Sequence, residues 1–193
     1  ALAADRPVLA FEPLPANLRQ LRRNVEANGW SARTEIHPVA LSDQPGELVL
    51  YGGGTTASLM PDFTGAQDFR RRRVPVETLD GRAAAALAGR RALILVDVEG
   101  VELNVLRGAA QILRQSPRPI WMLEVGVIQE LASGHRVNPD LLPVFTTFWD
   151  AGYEAWTATH PPERISPEAV ARVAAGGAET LGTHNFIFAM AGT

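Results

Sequence analysis

The chain contains 193 residues, of which 46% are hydrophobic and 20% are charged, and its formal net charge is -3 at pH 7. Because this length suits one domain with a substantial core, we predict that residues 1–193 form a single domain. The small negative charge gives no broad attraction to nucleic acid or to an anionic membrane. We therefore expect a small-molecule partner, and neither nucleic acid nor a membrane.

Membrane spans and signal peptides are the sequence features that bear on where the protein is located. No apolar run approaches the roughly 18 residues that a membrane span needs, and the first residues, ALAADRP, lack the regions of a signal peptide. We therefore expect a cytoplasmic location. The sequence contains no cysteine, which excludes disulfides, thiolate metal sites and cysteine nucleophiles.

The first two predicted elements are a strand and an amphipathic helix. The apolar run in RPVLAFEP predicts a strand that ends at Glu12 and Pro13. The next segment, LPANLRQLRRNVEANGW, places its apolar residues on one face of a helix. This helix is expected to end at Asn28 and Gly29, since both residues tolerate a left-handed turn.

The middle of the chain continues with strands and helices. TEIHPVAL, ELVLYGGG and RRRRVPVETLD each predict a strand, with Val74, Val76 and Thr78 alternating in the third. The alanines of GRAAAALAGR favour a helix. ALILVD is an unbroken aliphatic run, typical of a central parallel strand that is covered on both faces. VELNVLRGAAQILRQS then predicts one continuous helix.

The last third adds the strand PIWMLEVG, a helix in LLPVFTTFWDAG, the strand YEAWTA, a helix in SPEAVARVAA and the strand HNFIFAM. This alternation predicts an α/β fold with a doubly wound, mostly parallel sheet, whose last two strands form an antiparallel pair. Ligands of such sheets bind beyond the carboxyl ends of the strands. The acids expected at that edge are Glu12, Asp97, Glu99 and Glu124.

Glu12 follows a predicted strand and precedes a helix, which is where nucleotide sites often place a carboxylate. An ionised carboxylate only accepts hydrogen bonds, so it can take both neighbouring hydroxyls of a ribose. The alternative interpretation is a solvated residue at a strand end, with Pro13 stopping the strand.

Asp97 and Glu99 flank a turn between a predicted strand and a helix. Two acids at this spacing can hold a divalent cation, act as a general base or bind substrate hydroxyls. The alternative is helix capping, although capping explains one acid more easily than two. The four histidines are scattered and form no metal-binding pair, and His37 within a strand is interpreted as structural.

Several segments together resemble the FkbM family of S-adenosylmethionine-dependent methyltransferases. They are VLAFEPLPANLRQLRRNVEANG, VALSD, GELVLY, VPVETLD, LILVDVEGVELNVLRGA, PIWMLEV and the closing HNFIFAM. The most specific set is the D-x-E-G-x-E pattern of Asp97, Glu99, Gly100 and Glu102, combined with Glu12 and Pro13.

The resemblance implies a Rossmann-like class I methyltransferase fold with S-adenosylmethionine as cofactor. It also implies methyl transfer, usually to a hydroxyl oxygen of a sugar, polyketide or similar secondary metabolite. By this likeness Glu12, with Pro13, would bind the cofactor ribose, and Asp97 and Glu99 would face the sulfonium and the acceptor. The residues expected near the adenine are Val39, Ala40 and Leu41.

The candidates for the catalytic base are Asp97, which ranks first, then Glu99, and more distantly Glu124 or His184. A magnesium ion held by these acids is an open alternative, without ligands of stricter chemistry to support it.

One departure from the family is a missing segment. Its members normally carry, before the strand that ends at Glu12, another strand and a glycine loop of the type D-x-G-A-N-x-G. Without that strand, its neighbours would expose apolar edges. The sequence is therefore expected to be a fragment or a truncated protein. The open alternatives are a non-catalytic methyltransferase-like binding module, a fragment that is inactive alone, and a different nucleotide-binding α/β enzyme.

Overall fold

The computed structural model describes residues 6–54, 57–61, 71–131, 134–176 and 181–192. None of the helices in these ranges has the length and apolar character that a membrane span requires. The elements of the first half are β1 (Val8–Phe11), α1 (Pro15–Ala27), β2 (Thr34–His37), β3 (Ala40–Leu41), β4 (Gly46–Tyr51), β5 (Arg71–Glu77) and α2 (Leu79–Leu87).

These elements confirm most of the predictions for the first half. Helix α1 begins with Pro15, whose missing N–H costs nothing in the first turn, and the helix is followed by Asn28 and by Gly29 with a φ of 67°. The predicted strand TEIHPVAL is instead two strands, β2 and β3, separated at Pro38. Thr78 does not extend β5, because its side chain caps α2 by accepting the N–H of Gly81 at 3.0 Å.

The second half contains β6 (Leu93–Val96), α3 (Glu102–Arg107), α4 (Ala110–Arg114), β7 (Ile120–Glu124), β8 (Ile128–Leu131), β9 (Gly134–Val137), α5 (Leu141–Asp150), β10 (Glu154–Thr157), β11 (Arg164–Ile165), α6 (Pro167–Ala174) and β12 (Asn185–Ala189). The hairpin of β8 and β9 and the short strand β11 were not predicted, because their short polar sequences lack an apolar alternation.

The described strands form four sheets rather than the single sheet that the sequence predicts. The largest has the order β11-β10-β12-β7-β6, another has the order β3-β5-β4, and β1-β2 and β8-β9 are two-stranded. Strand β12 is antiparallel to β10, which confirms the predicted antiparallel pair at the C-terminal end. Parallel pairs join β1 to β2 and β6 to β7. The fold is therefore α/β with both parallel and antiparallel strands.

The prediction that β6 is covered on both faces and lies centrally is wrong for the part of the chain that the structure describes. There β6 is the last strand of its sheet and pairs only with β7. Leu93 is 61% exposed and Leu95 is 67% exposed. An aliphatic run shows that both faces of a strand are apolar, but it carries no information on which strand lies beside it.

The single helix predicted after β6 is also wrong, because the chain forms α3 and α4 with a break at Gly108 and Ala109. A Cβ atom on Gly108 would lie 2.1 Å from the carbonyl oxygen of Ser42, so the backbones approach too closely for any side chain. Asp80 of α2 caps α4, since its carboxylate accepts the N–H groups of Gln111 at 2.8 Å and Ile112 at 2.9 Å.

An aromatic cluster holds the five-stranded sheet against α5. The rings of Phe148 in α5 and Phe188 in β12 stack at a centroid distance of 3.8 Å. Phe145 makes edge contacts with Phe186 at 5.0 Å and with Phe188 at 5.2 Å. Trp121 of β7 packs edge-on against Phe148 at 5.7 Å, so the cluster joins three neighbouring elements of the core.

Substitution of Gly108 tests the close backbone approach at the break between α3 and α4. We expect Gly108→Ala to lower the free energy of unfolding by about 3 kcal/mol, because the added methyl group meets backbone that cannot rotate away. Gly29→Ala is the control, since it meets no atom within 4 Å and should cost only about 1 kcal/mol through its left-handed φ. Urea unfolding followed by circular dichroism measures both. Equal losses would contradict the proposed clash.

Candidate active site

A cavity of about 800 Å³ lies between β1 and β6 and continues past the carboxyl ends of both strands. Along the strands it is lined by Val8–Phe11 and by Leu93–Val96. Beyond the strand ends, its lining includes Glu12, Pro13, Val39, Ala40, Leu41, Asp97 and Glu99. The structure thus brings these predicted site residues to one cavity.

Glu12 continues β1 by one hydrogen bond, since its N–H donates to the carbonyl of His37 at 3.1 Å. Its carboxylate turns back towards α1. Oε1 accepts the N–H of Leu14 at 2.7 Å, and Oε2 accepts Nδ2 of Asn17 at 3.1 Å. A carboxylate oxygen accepts more than one hydrogen bond, so the half-buried group can still take hydroxyl donors from a ligand.

Asn17 is a site residue that the sequence analysis missed. Its amide donates to Glu12 and also to the carbonyl of Gly54 at 3.0 Å. It therefore connects the first turn of α1 to the segment that follows β4. No sequence pattern marks it, because an asparagine in a first helical turn is common and its partner Gly54 is 37 positions away.

An apolar wall adjoins Glu12. Val39 and Ala40 are buried and Leu41 is half-buried, and β3 is held in place by parallel pairing of Ala40 with Val76 of β5. Leu50 and Leu59 extend the wall of the cavity. A flat apolar group can therefore pack here next to a carboxylate that accepts hydrogen bonds.

Asp97 and Glu99 occupy the turn between β6 and α3. Glu99 has a φ of 54° and is the only non-glycine residue in the described ranges with a positive φ. Helix α3 begins after Val101 without any side-chain capping bond. Neither Asp97 nor Glu99 is the N-cap residue of α3, and both line the cavity.

Burial and neighbouring acids raise the pKa of Glu99 to about 7. Burial is the largest cause, followed by the negative charges of Asp97, Glu124 and Glu102. Burial also raises the pKa of Glu102, although hydrogen bonds from backbone N–H groups oppose the shift. A carboxyl group with a pKa near 7 can gain or lose a proton at neutral pH, which suits it to general acid–base chemistry.

The other predicted polar residues lie away from the lining of this cavity. Glu124 is the last residue of β7 and acts on Glu99 through its charge. His184 is exposed, and its carbonyl accepts the N–H of Val125 at 2.7 Å. His37 stacks on Phe11 at a centroid distance of 4.8 Å, which fits its interpretation as a structural residue. Within the described ranges, no group of three or more histidine and acidic residues could hold a metal ion.

The sequence matches the family described as the methyltransferase FkbM domain over residues 4–155, which is most of the chain. The chain belongs to the FkbM methyltransferase family. The resemblance noted from Glu12-Pro13 and from the D-x-E-G-x-E pattern is therefore confirmed.

A solved structure similar to this FkbM domain is methyltransferase FkbM from Methylobacillus flagellatus KT, with 18% sequence identity and a TM-score of 0.42. The similarity covers 62% of this chain and 26% of that chain. Comparison with curated proteins finds no match.

The pH dependence of stability tests the raised pKa of Glu99. Between pH 4.5, its ordinary pKa, and about 7, the folded state keeps a proton that the unfolded state has lost. The free energy of unfolding should therefore fall as the pH rises through this window. Above a pH of about 7, Glu99 is ionised in both states and should no longer make the stability depend on pH. Glu102, whose pKa is also raised, contributes in the same direction.

Glu99→Gln should reduce this slope without abolishing it, because Glu102 remains. The exposed Glu47→Gln in β4 is the control and should keep the slope of the original chain. Urea unfolding at a series of pH values between 4.5 and 8 provides the measurement. An unchanged slope in Glu99→Gln would show that Glu99 titrates normally.

Proposed function

We propose that this FkbM domain transfers a methyl group from S-adenosylmethionine to a hydroxyl oxygen of a small acceptor, such as a sugar or another secondary metabolite. The observation that carries the proposal is that Glu12 and the pair Asp97 and Glu99 line one cavity in a chain of this family. One acid is suited to hold the cofactor, and the other two are suited to the transfer.

The residues of the cavity fit this cofactor. Glu12 would accept hydrogen bonds from the ribose hydroxyls, since both of its oxygens have capacity beyond their bonds to Leu14 and Asn17. The apolar wall at Val39–Leu41 would pack against the adenine. The carboxylate of Asp97 would lie near the sulfonium, where its negative charge favours a cation.

The transfer itself depends on alignment and on proton removal. When bound, S-adenosylmethionine supplies an electrophilic methyl group. The chain must then hold the acceptor hydroxyl in line with that group, because alignment provides much of the acceleration. The sequence alone favoured Asp97 as the base. We assign the base to Glu99 instead, because Glu99 lines the cavity and has a pKa of about 7.

We also propose that an additional parallel strand lies between β1 and β6. Within the described residues, β1 pairs only with β2 and β6 only with β7, so each has a free edge along the cavity. The exposed side chains of Leu93 and Leu95 offer apolar surface for such a strand. This strand would fill the part of the cavity along β1 and β6. A glycine loop of the type D-x-G-A-N-x-G after the strand would border the part beyond the ends of β1 and β6, where the ligand is expected.

A calorimetric titration with S-adenosylhomocysteine tests the proposed function and the added strand together. The 193-residue chain should bind weakly or not at all, whereas a longer version with a strand and a D-x-G-A-N-x-G loop before residue 1 should bind. Binding by neither version would favour the non-catalytic binding module. Equal binding by both would show that the cavity needs no further strand.

Glu12→Ala in the longer version tests the ribose contact. Loss of hydrogen bonds to a charged group should weaken the binding of S-adenosylhomocysteine by about 1.5 to 3 kcal/mol. Glu26→Ala, on the exposed side of α1, is the control and should leave the affinity unchanged. Unchanged affinity in Glu12→Ala would remove this residue from the site.

Glu99→Gln in the same version tests the assignment of the base. Turnover should fall by about 10²- to 10⁴-fold, the usual contribution of a general base, while the affinity for S-adenosylhomocysteine changes little. Asp97→Asn should depress turnover more than cofactor affinity as well, but by less than Glu99→Gln. A larger loss in Asp97→Asn would return the role of base to Asp97.

A further inference from the structure

The turn that carries Glu99 adopts a conformation that its own sequence disfavours. Glutamate rarely takes a positive φ, because its Cβ atom crowds the backbone in the left-handed region. Such a conformation persists only where surrounding contacts enforce it. The contacts around Glu99 therefore indicate which residues keep its carboxylate in the cavity wall.

Ser58 provides the contact from outside the turn. Its hydroxyl donates to the carbonyl of Glu99 at 2.6 Å and accepts the N–H of Met60 at 3.0 Å. Since an N–H group can only donate, the hydroxyl proton is directed to Glu99. The side chain of Ser58 is 1% exposed, so water does not compete for this bond.

The backbone of Ser58 is fixed as well. Its N–H donates to the carbonyl of Tyr51 at 3.1 Å, and its carbonyl accepts the N–H of Tyr51 at 2.9 Å. Tyr51 is the last residue of β4, which pairs with β5 over its whole length. The hydroxyl of Ser58 therefore links the Glu99 turn to the three-stranded sheet of β3, β5 and β4.

Glu102 holds the same turn from the helix side. Its carboxylate accepts the N–H of Gly100 at 2.9 Å, and the residue is only 4% exposed. Glu99 thus has its carbonyl fixed by Ser58 and the following N–H fixed by Glu102. Both groups of the peptide unit between Glu99 and Gly100 are hydrogen-bonded by side chains, which defines its orientation.

We propose that Ser58 is a positioning residue for the acid chemistry of this site, because its hydroxyl holds the left-handed turn that keeps the Glu99 carboxyl group in the cavity. The catalytic part of this inference rests on the proposed function, in which Glu99 is the base. The structural part does not, since it concerns only the burial of Glu99.

The test compares Ser58→Ala with a matched control in the full chain. Carbon NMR of the carboxyl groups, with the Glu99 signal assigned through Glu99→Gln, gives the pKa of Glu99 in each variant. In Ser58→Ala the turn should relax towards solvent, and the pKa of Glu99 should fall from about 7 by about one pH unit, because burial is its largest cause. The charged groups that act on Glu99, namely Asp97, Glu124 and Glu102, are unchanged in this variant.

Ser42→Ala is the matched control, because Ser42 is also 1% exposed and its hydroxyl donates to Asp43 rather than to the Glu99 turn. This variant should leave the pKa of Glu99 at about 7. Ser58→Thr keeps the hydroxyl and should restore the original titration. Ser58→Cys, which keeps the volume but donates weakly, replaces Ser58→Ala if that variant fails to fold. The same pKa in all variants would overturn the inference.

Enzyme kinetics separate this inference from the proposed function. In a version that transfers methyl groups, Ser58→Ala should lower kcat about tenfold to a hundredfold through misplacement of the base, with the affinity for S-adenosylhomocysteine unchanged. A fall in the pKa of Glu99 without any methyl transfer in the unmodified protein would support the positioning role and reject the proposed function. Methyl transfer together with a Glu99 pKa that does not respond to Ser58→Ala would support the proposed function and reject the positioning role.

Discussion

The constraint on which this site depends is that the carboxyl ends of β1 and β6 meet at one cavity. Each strand pairs in parallel with a neighbour, β1 with β2 and β6 with β7. The residue after each of the two strands is an acid, Glu12 after β1 and Asp97 after β6, and both acids line the cavity. Residues far apart in the sequence therefore act on the same space. The chemistry of the site follows from which residue happens to end each strand.

Two features of the site are energetically unfavourable, and the packing of the rest of the domain must offset them. Glu99 combines a disfavoured backbone conformation with a carboxyl group that burial and nearby acids keep from ionising readily. The aromatic cluster around Phe148 joins α5 to β7 and β12 and is fully buried. Packing of this quality stabilises the sheet that presents the acids, so strain at the turn is tolerated.

The sequence was most informative where apolar runs end in an acid. Those runs predicted β1, β6 and β7 and placed Glu12 and Asp97 at one edge, because strand direction alone decides that placement. It was uninformative where the deciding contact comes from a distant segment. The leucine spacing continues through Gly108 although the helix breaks there, at the point where its backbone closely approaches the distant Ser42. Likewise, Ser58 acts on a turn 41 residues away, and no periodicity records such a contact.

The edge of β6 has a further consequence for how the domain behaves in solution. Strand β6 presents unpaired backbone N–H and carbonyl groups on one side, within the described residues, and exposes Leu93 and Leu95. An unpaired strand edge beside exposed apolar side chains is a template for any extended chain, including a second copy of itself. Pairing of this edge with a second copy would occupy the side of the cavity that β6 lines. The cavity proposed to hold the ligand thus lies beside a strand edge that, within the described residues, is open to pairing with another chain.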